Sequence, residues 1–505
     1  AALSVDGLHS TRPIEFPVRA PREADAMFDV LTYEKGASVL RMLEQYLGPE
    51  VFRTGVREYL TRHRFANADT VDLWAALGRA SQQPIPAVMD GWIFAPGYPV
   101  VSVAVEGREL VLRQQRFTYL TEPLRWFGAA PAAATPPARW QVPVQLRVSA
   151  EGRESVERVL LAEPEVRRPL PAGFESVVAN EGGHGFYRVR YDEGLRERLL
   201  GRLASLGAIE RFNLVNDAWA VTAAGLMPIA QYLDLTARFR DERDKNVWSV
   251  LLGSLHALNR IIAPADRPRL EALVRDRTAP ALAALGVTPR EGEDELTRQL
   301  RGDLIRALGT LGNDHAVQAR AAELYAGHEG GAAPVDPNVL PALIATLAHA
   351  GDEGRYHEFF ERFRTATTPQ EEQRYLYALT MFPQPLLVEQ TLARTVNGEI
   401  RTQDAPFVAR SMLMLVHARE QAWAFVKKQW DTMDRLYPKH GLRRMAEGVI
   451  GLVTPELEAD VHRFFQERKI DLGGKTLEQY LEQLRVAVAL REREGAALSA
   501  YLARF

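Results

Sequence analysis

From about Asp192 to the last residue, nearly every segment repeats its apolar residues at helical spacing, with short Gly, Pro or Asp breaks between segments. Phe212–Trp219, Val247–Leu252 and Ala409–Val416 are examples. Roughly 300 residues of consecutive helix exceed what one bundle can pack around a single core. Helical hairpins stacked into a curved superhelix solve that problem, because each hairpin buries its apolar face against its neighbours. No strict repeat signature is present, so the expected array is a degenerate HEAT- or armadillo-like one.

The period is different upstream. Val39, Leu40, Leu43, Tyr46 and Leu47 recur at helical spacing and Gly48-Pro49 supplies a stop. Phe52, Val56, Tyr59 and Leu60 mark a second helix. Thr70 reads as the N-cap of a third carrying Leu73, Trp74 and Leu77, and a short fourth follows Pro86 and ends near Gly97. Alternation then takes over. Val101–Val105, a turn at Glu106-Gly-Arg108, Glu109–Phe117, Val142–Val148, Ser155–Leu161 and Phe186–Tyr191 read as strands. An Ala/Pro stretch at 127–138 reads as a mobile loop inserted in this β-region. The expected organisation is multidomain and mainly α. Residues 1–98 are helical, 99–191 form a small β-sandwich, and 192–505 form the superhelical domain. The charge runs Arg190–Arg202 and Arg491–Glu494 read as solvated helix faces.

Bulk composition removes several functions. Net charge is -3, from 62 basic and 65 acidic residues, so no global field points to nucleic acid or an anionic membrane. No apolar run approaches the roughly 20 residues of a membrane span. Cysteine is absent, which excludes disulfides, thiolate nucleophiles and thiolate metal sites together. High Ala, Arg and Gly usage suggests a GC-rich bacterial source. The N-terminus reads Ala-Ala-Leu-Ser-Val-Asp-Gly, without initiator Met or signal-peptide character, and suggests the interior of a longer polypeptide. Cytoplasm is then the default compartment; an upstream signal peptide would make it periplasmic or secreted.

Motif search finds little chemistry. The eleven histidines include no pair four apart, so a zincin His-Glu-x-x-His is not written here, and neither is a Gly-x-Ser-x-Gly elbow. One residue stands out. Tyr33 precedes Lys35-Gly36 and an amphipathic helix, a position from which a phenol O–H could reach a cleft and stabilise an oxyanion. A helix-entry aromatic packed on the core would look the same in sequence.

The surrounding pattern bears on that choice. Phe28-Asp-x-x-x-Tyr33-x-Lys35-Gly36, Leu47-Gly-x-x-x-Phe52, Tyr59-Leu, Asn67-Ala-Asp-Thr70 and Asp72-Leu-Trp74 resemble the M1 family of zinc aminopeptidases. In the same order, Met89-Asp-x-Trp92 and Gly97-Tyr-Pro-Val100 resemble the exit of that family's catalytic domain. Gln115-Arg-Phe117 and Trp140-Gln-Val-Pro143 resemble its β-sandwich. Asn180, Gly185–Tyr191 and Asn216–Trp219 resemble the entry to its helical C-terminal domain.

The resemblance implies the C-terminal portion of such an enzyme, starting after the zinc-binding motif. It implies a thermolysin-like catalytic domain represented by its helical end, with Tyr33 as the catalytic tyrosine that stabilises the tetrahedral intermediate formed at zinc. In the intact parent, zinc would activate a water and a glutamate would accept its proton. The family's zinc ligands and its Gly-x-Met-x-Asn strand do not occur here, so no zinc is expected in this chain and it should be inactive alone. Lys35 and Gly36 are expected to act structurally, in helix start and backbone fit. The implied partners are peptide substrates and the upstream catalytic region. A non-catalytic M1-like scaffold for protein interactions is the alternative.

Overall fold

The computed structural model describes residues 1–18, 27–124, 139–331, 334–470, 472 and 475–505, and the Ala/Pro stretch at 127–138 lies outside them. The chain is mainly helical with two small sheets. It divides into two units, Ala1–Ala224 with Gly473–Lys475, and Gly225–Leu472 with Thr476–Phe505.

In the first unit, helices Gly36–Leu47, Pro49–Arg62, Thr70–Ser81 and Ile85–Ile93 follow a short opening helix, Ala2–Asp6. The first of the four buries Val39, Met42, Leu43 and Leu47, an apolar stripe at helical spacing. It stops at Gly48, whose φ of 88° lies in the region open to glycine, and Pro49 begins the next helix. That helix packs closely on Thr70–Ser81 through Gly55, where a Cβ would come within 2.7 Å of Leu77 Cδ2. The cap of Thr70–Ser81 is Asp69 rather than Thr70: the Asp69 N–H donates to the Asp72 carboxylate at 2.9 Å. Thr70 is the first helical residue and its hydroxyl donates to Glu15 instead. The fourth helix starts before Pro86 and ends at Ile93, short of Gly97.

Seven strands follow among the described residues: β1 Pro99–Glu106, β2 Glu109–Arg116, β3 Val142–Ala150, β4 Arg153–Leu161, β5 Glu165–Pro169, β6 Phe174–Ala179 and β7 Arg188–Tyr191. They form two sheets, ordered β5-β2-β1-β7 and β4-β3-β6. β1 and β2 pair antiparallel from Pro99↔Arg116 to Glu106↔Glu109, whereas β7 joins β1 in parallel. Buried Gln114 on β2 ties the sheets together. Its amide donates to the carbonyls of Trp140, Leu161 and Glu163 at 2.9–3.1 Å and accepts from Trp140 N–H at 2.9 Å. β5 and β6 escaped the sequence reading. β5 is a charged edge strand, Glu-Val-Arg-Arg-Pro, with no apolar alternation to read.

Strand β7 is fixed to helix Ala208–Ala223 by a buried ion pair, Arg188 Nη1 to Asp217 Oδ1 at 3.0 Å, and Val189 N–H donates to the other oxygen at 3.0 Å. The run Arg190–Arg202 is not wholly solvated, since Leu195, Arg196, Leu199 and Leu200 are buried.

The elements of the second unit among the described residues are all helices, from Ile229–Thr236 to the 27-residue Thr476–Leu502. Consecutive helices pack on each other, as in Arg267–Leu285 with Glu295–Gly309 and Glu353–Thr365 with Pro369–Ala378. Glu494 departs from the expected solvated face: it is buried and accepts from Ile229 N–H at 3.1 Å, capping that helix.

Candidate active site around Tyr33

Tyr33 lies in a π-helical turn, Leu31–Lys35, that runs directly into helix Gly36–Leu47. Such turns are rare and concentrate at functional sites. The turn has two faces. Leu31 and Lys35 point inward and are buried, while Tyr33 is 60% exposed and Glu34 is exposed beside it. Tyr33 is therefore not a packed core aromatic. Its one ring neighbour among the described residues is Phe28, at 6.3 Å between centroids and itself largely exposed. The phenol has no hydrogen-bond partner among the described residues.

The backbone beneath Tyr33 is held from both ends. Asp29 Oδ1 accepts from the N–H groups of Leu31 and Thr32 at 2.9 and 3.0 Å, so it caps the turn. Arg12 clamps that carboxylate at 2.5 Å and the Thr32 hydroxyl at 2.9 Å. At the other end, Lys35 Nζ meets Asp6 Oδ2 at 2.8 Å, and both side chains are 0% exposed. Lys35 also donates to the carbonyls of Gly97 and Ala95 at 3.2 and 3.4 Å. The second Asp6 oxygen accepts from the Thr11 hydroxyl and Gly97 N–H at 2.7 and 2.9 Å. Burial pushes the Lys35 ammonium below the usual lysine range, against the opposing pull of Asp6.

Lys35 is thus a buried strut rather than a helix start, because the helical backbone already begins at Leu31. Gly36 carries no local backbone requirement: its φ is -55° and a Cβ there would meet nothing within 4 Å. Asp6, Arg12 and Asp29 are site residues that sequence reasoning did not single out. Asp29, three residues before Thr32, had a legible N-cap spacing; Asp6 and Arg12 meet the turn only through tertiary contact.

Beyond Tyr33 the unit shows further apolar groups to solvent, including Leu60, Val71 and the 95%-exposed Phe65. A shallow groove on helix Pro49–Arg62 is lined by Phe52, Val56 and Leu60 between Arg53, Arg57 and Arg64. Among the described residues no group of three or more His, Asp or Glu side chains could hold a metal ion. No described helix is long and apolar enough to cross a membrane.

Residues 176–486, more than half the chain, match the family model of the ERAP1-like C-terminal domain, and residues 1–92 match that of the Peptidase family M1 domain. The chain belongs to the M1 peptidase family. It corresponds to the C-terminal portion of an M1 aminopeptidase. It is 28% identical to Aminopeptidase M1 of Arabidopsis thaliana over 96% of this chain and 56% of that protein. It is likewise 28% identical to Leucyl aminopeptidase of Saccharolobus solfataricus, over 95% of this chain and 58% of the relative. Alanine/arginine aminopeptidase of Saccharomyces cerevisiae is 27% identical over 99% of this chain and 58% of its own length. The chain thus spans a little over half the length of these M1 relatives. They are plant, archaeal and yeast proteins, which lends no support to the bacterial source suggested by composition. M1 membership implies zinc in the full-length protein, and the described residues offer no set of ligands to fit one.

Proposed function

We propose that this chain is the C-terminal part of a zinc aminopeptidase that removes N-terminal residues from peptides, and that Tyr33 supplies its oxyanion donor. The observation that carries the reading is a solvent-facing, unpartnered phenol on a turn whose backbone is pinned by Asp29, Arg12 and the Lys35–Asp6 pair. A donor that costs no reorganisation when charge develops is what oxyanion stabilisation needs, and one such donor contributes about 3 kcal/mol. Zinc, when bound in the full-length enzyme, would supply Lewis-acid activation; no step of it is assigned to residues of this chain. A scaffold without catalysis has no use for so elaborate a support beneath one hydroxyl.

The upstream catalytic region is the intramolecular partner. Phe28 and Tyr33, neighbours on the candidate site, and Leu60 and Phe65 elsewhere in the unit are exposed apolar side chains of the kind an adjoining part of the same domain would cover. In this reading 1–98 is the helical end of the catalytic domain, the two sheets are a β-sandwich over 99–191, and 192–505 is a helical superhelix.

The test is Tyr33→Phe in the full-length parent. Turnover should fall about a hundredfold with the denaturation midpoint unchanged. Unchanged turnover would remove Tyr33 from the mechanism. The chain by itself should bind no catalytic zinc and release no amino acid from a peptide; zinc near one equivalent with turnover would refute that.

A further inference from the structure

Among the described residues most arginines of the second unit pair with a carboxylate, but four that converge on one place do not. Arg419 is 7% exposed, and it is the first residue of the helix Arg419–Leu436. Its Nη1 donates to the carbonyls of Arg260 and Gly451 at 3.2 and 3.3 Å, and its buried Nε has no partner among the described residues. Arg491 donates, among the described residues, only to the Val453 carbonyl, at 2.9 Å, two residues from Gly451. Among the described residues Arg267 donates only to the Asn259 side chain, at 2.6 Å, beside Arg260. Arg260 itself has neither hydrogen bond nor ion pair through its guanidinium among the described residues.

The carboxylates nearby are otherwise placed. Asp266 is taken by Arg269 and Ser499. The charges of Glu420 and Glu271 reach Arg419 and Arg267 without closing an ion pair among the described residues. His417 adds a ring two residues before Arg419, bonded to the Thr380 carbonyl.

This arrangement is unfavourable in the absence of a ligand. A buried guanidinium without a counter-charge is among the costliest groups a fold can hold. Arg267 and Arg419 each also open a helix, at the positive end of its dipole, where cations are disfavoured. Burial is the largest influence on the Arg419 pKa and lowers it; Arg491, Arg267 and Arg260 lower it further against Glu420.

We propose that Arg419, Arg260, Arg267 and Arg491 form an oxyanion-binding site that takes a carboxylate or a phosphate group. The planar forks of several guanidiniums match the oxygens of such a group, and the Nε–H of Arg419, without a partner among the described residues, is left to donate. Arg260, Arg267 and Arg491 are half-buried, which gives solvent anions a way in.

The test uses the 505-residue chain, at constant ionic strength set with chloride, by calorimetry and thermal melts. Inorganic phosphate, a short peptide with a free C-terminus and the same peptide amidated are the probes. Saturable binding of phosphate or of the free-carboxylate peptide, absent for the amidated one, supports the site and identifies the source. Arg491→Gln and Arg267→Gln should each weaken that binding about tenfold or more. Arg419→Met should abolish it while raising the melting temperature of the ligand-free chain. No saturable effect from either oxyanion, or unchanged affinity in the Arg491 and Arg267 variants, overturns the proposal. The experiment needs neither zinc nor turnover, so its failure leaves the aminopeptidase reading standing.

Discussion

Lys35 and Asp6 form an ion pair at 2.8 Å with no solvent exposure on either side chain, and through it the opening helix holds the turn that presents Tyr33. Removing one partner strands the other charge. Lys35→Met should therefore destabilise the chain by about 3–5 kcal/mol. Lys35→Met combined with Asp6→Leu should recover only part, because Asp6 also accepts from Thr11 and Gly97. Urea midpoints of the three chains measure this, and a single variant with a wild-type midpoint would contradict it.

Gly55 and Gly36 should respond oppositely to alanine. At Gly55 a Cβ meets Leu77 Cδ2 at 2.7 Å and Leu77 Cα at 3.0 Å, and the backbone atom cannot rotate away. Gly55→Ala should cost about 1–3 kcal/mol. Gly36 is helical with open space around it, so Gly36→Ala should stabilise this chain by about 0.5–1 kcal/mol. Thermal melts of both variants give the signs directly.

Gln114→Leu fills the same space but leaves the carbonyls of Trp140, Leu161 and Glu163 and the Trp140 N–H without their shared partner. The loss should be about 2–4 kcal/mol, the scale of several buried unsatisfied groups. Faster amide exchange at Trp140 would locate the damage. Unaltered exchange with unaltered stability would show that water replaces the amide.

Stability should fall as the medium is acidified from about pH 6.5 to 4. Burial first, then the charge of His417, pushes His349 down to about 4; burial, then Arg485, does the same to His462. Within that window the unfolded chain takes up protons that the folded chain refuses, so folding loses ground as pH drops. Above the window these groups are neutral in both states, and below it both are charged. Each histidine contributes on the order of 1 kcal/mol per pH unit at most. His349→Gln should flatten the pH dependence of the urea midpoint; a slope identical to wild type would exclude it as a source.

Helix positions were legible from sequence wherever an amphipathic stripe met a Gly or Pro stop, as at Leu47-Gly48-Pro49. Strands with apolar alternation, such as β1 and β2, were legible for the same reason. β5 was not, because an edge strand can be almost wholly polar. At the candidate site, Tyr33 was found through its motif, but its solvent-facing pose was not readable, since a packed tyrosine has the same local sequence. Asp6 and Arg12 were invisible because their roles come from contacts with residues 17 or more positions away in the chain. Glu494 shows the opposite failure: a charge run suggests solvent, yet one member turned inward to cap another helix.

The π-turn has a consequence for how this segment tolerates change in length. One residue more than a regular helical turn shifts the phase of everything before it by about 100° relative to the helix after it. Leu31 and Lys35 then face inward while Tyr33 faces out, on a backbone that continues unbroken into Gly36–Leu47. Deleting a single residue between Leu31 and Lys35 would restore a regular helix and keep its apolar stripe. It would also swing the phenol out of register with the strut that supports it. The segment is thus more robust to substitution than to loss of one residue, and its fold and its presentation of Tyr33 would fail separately.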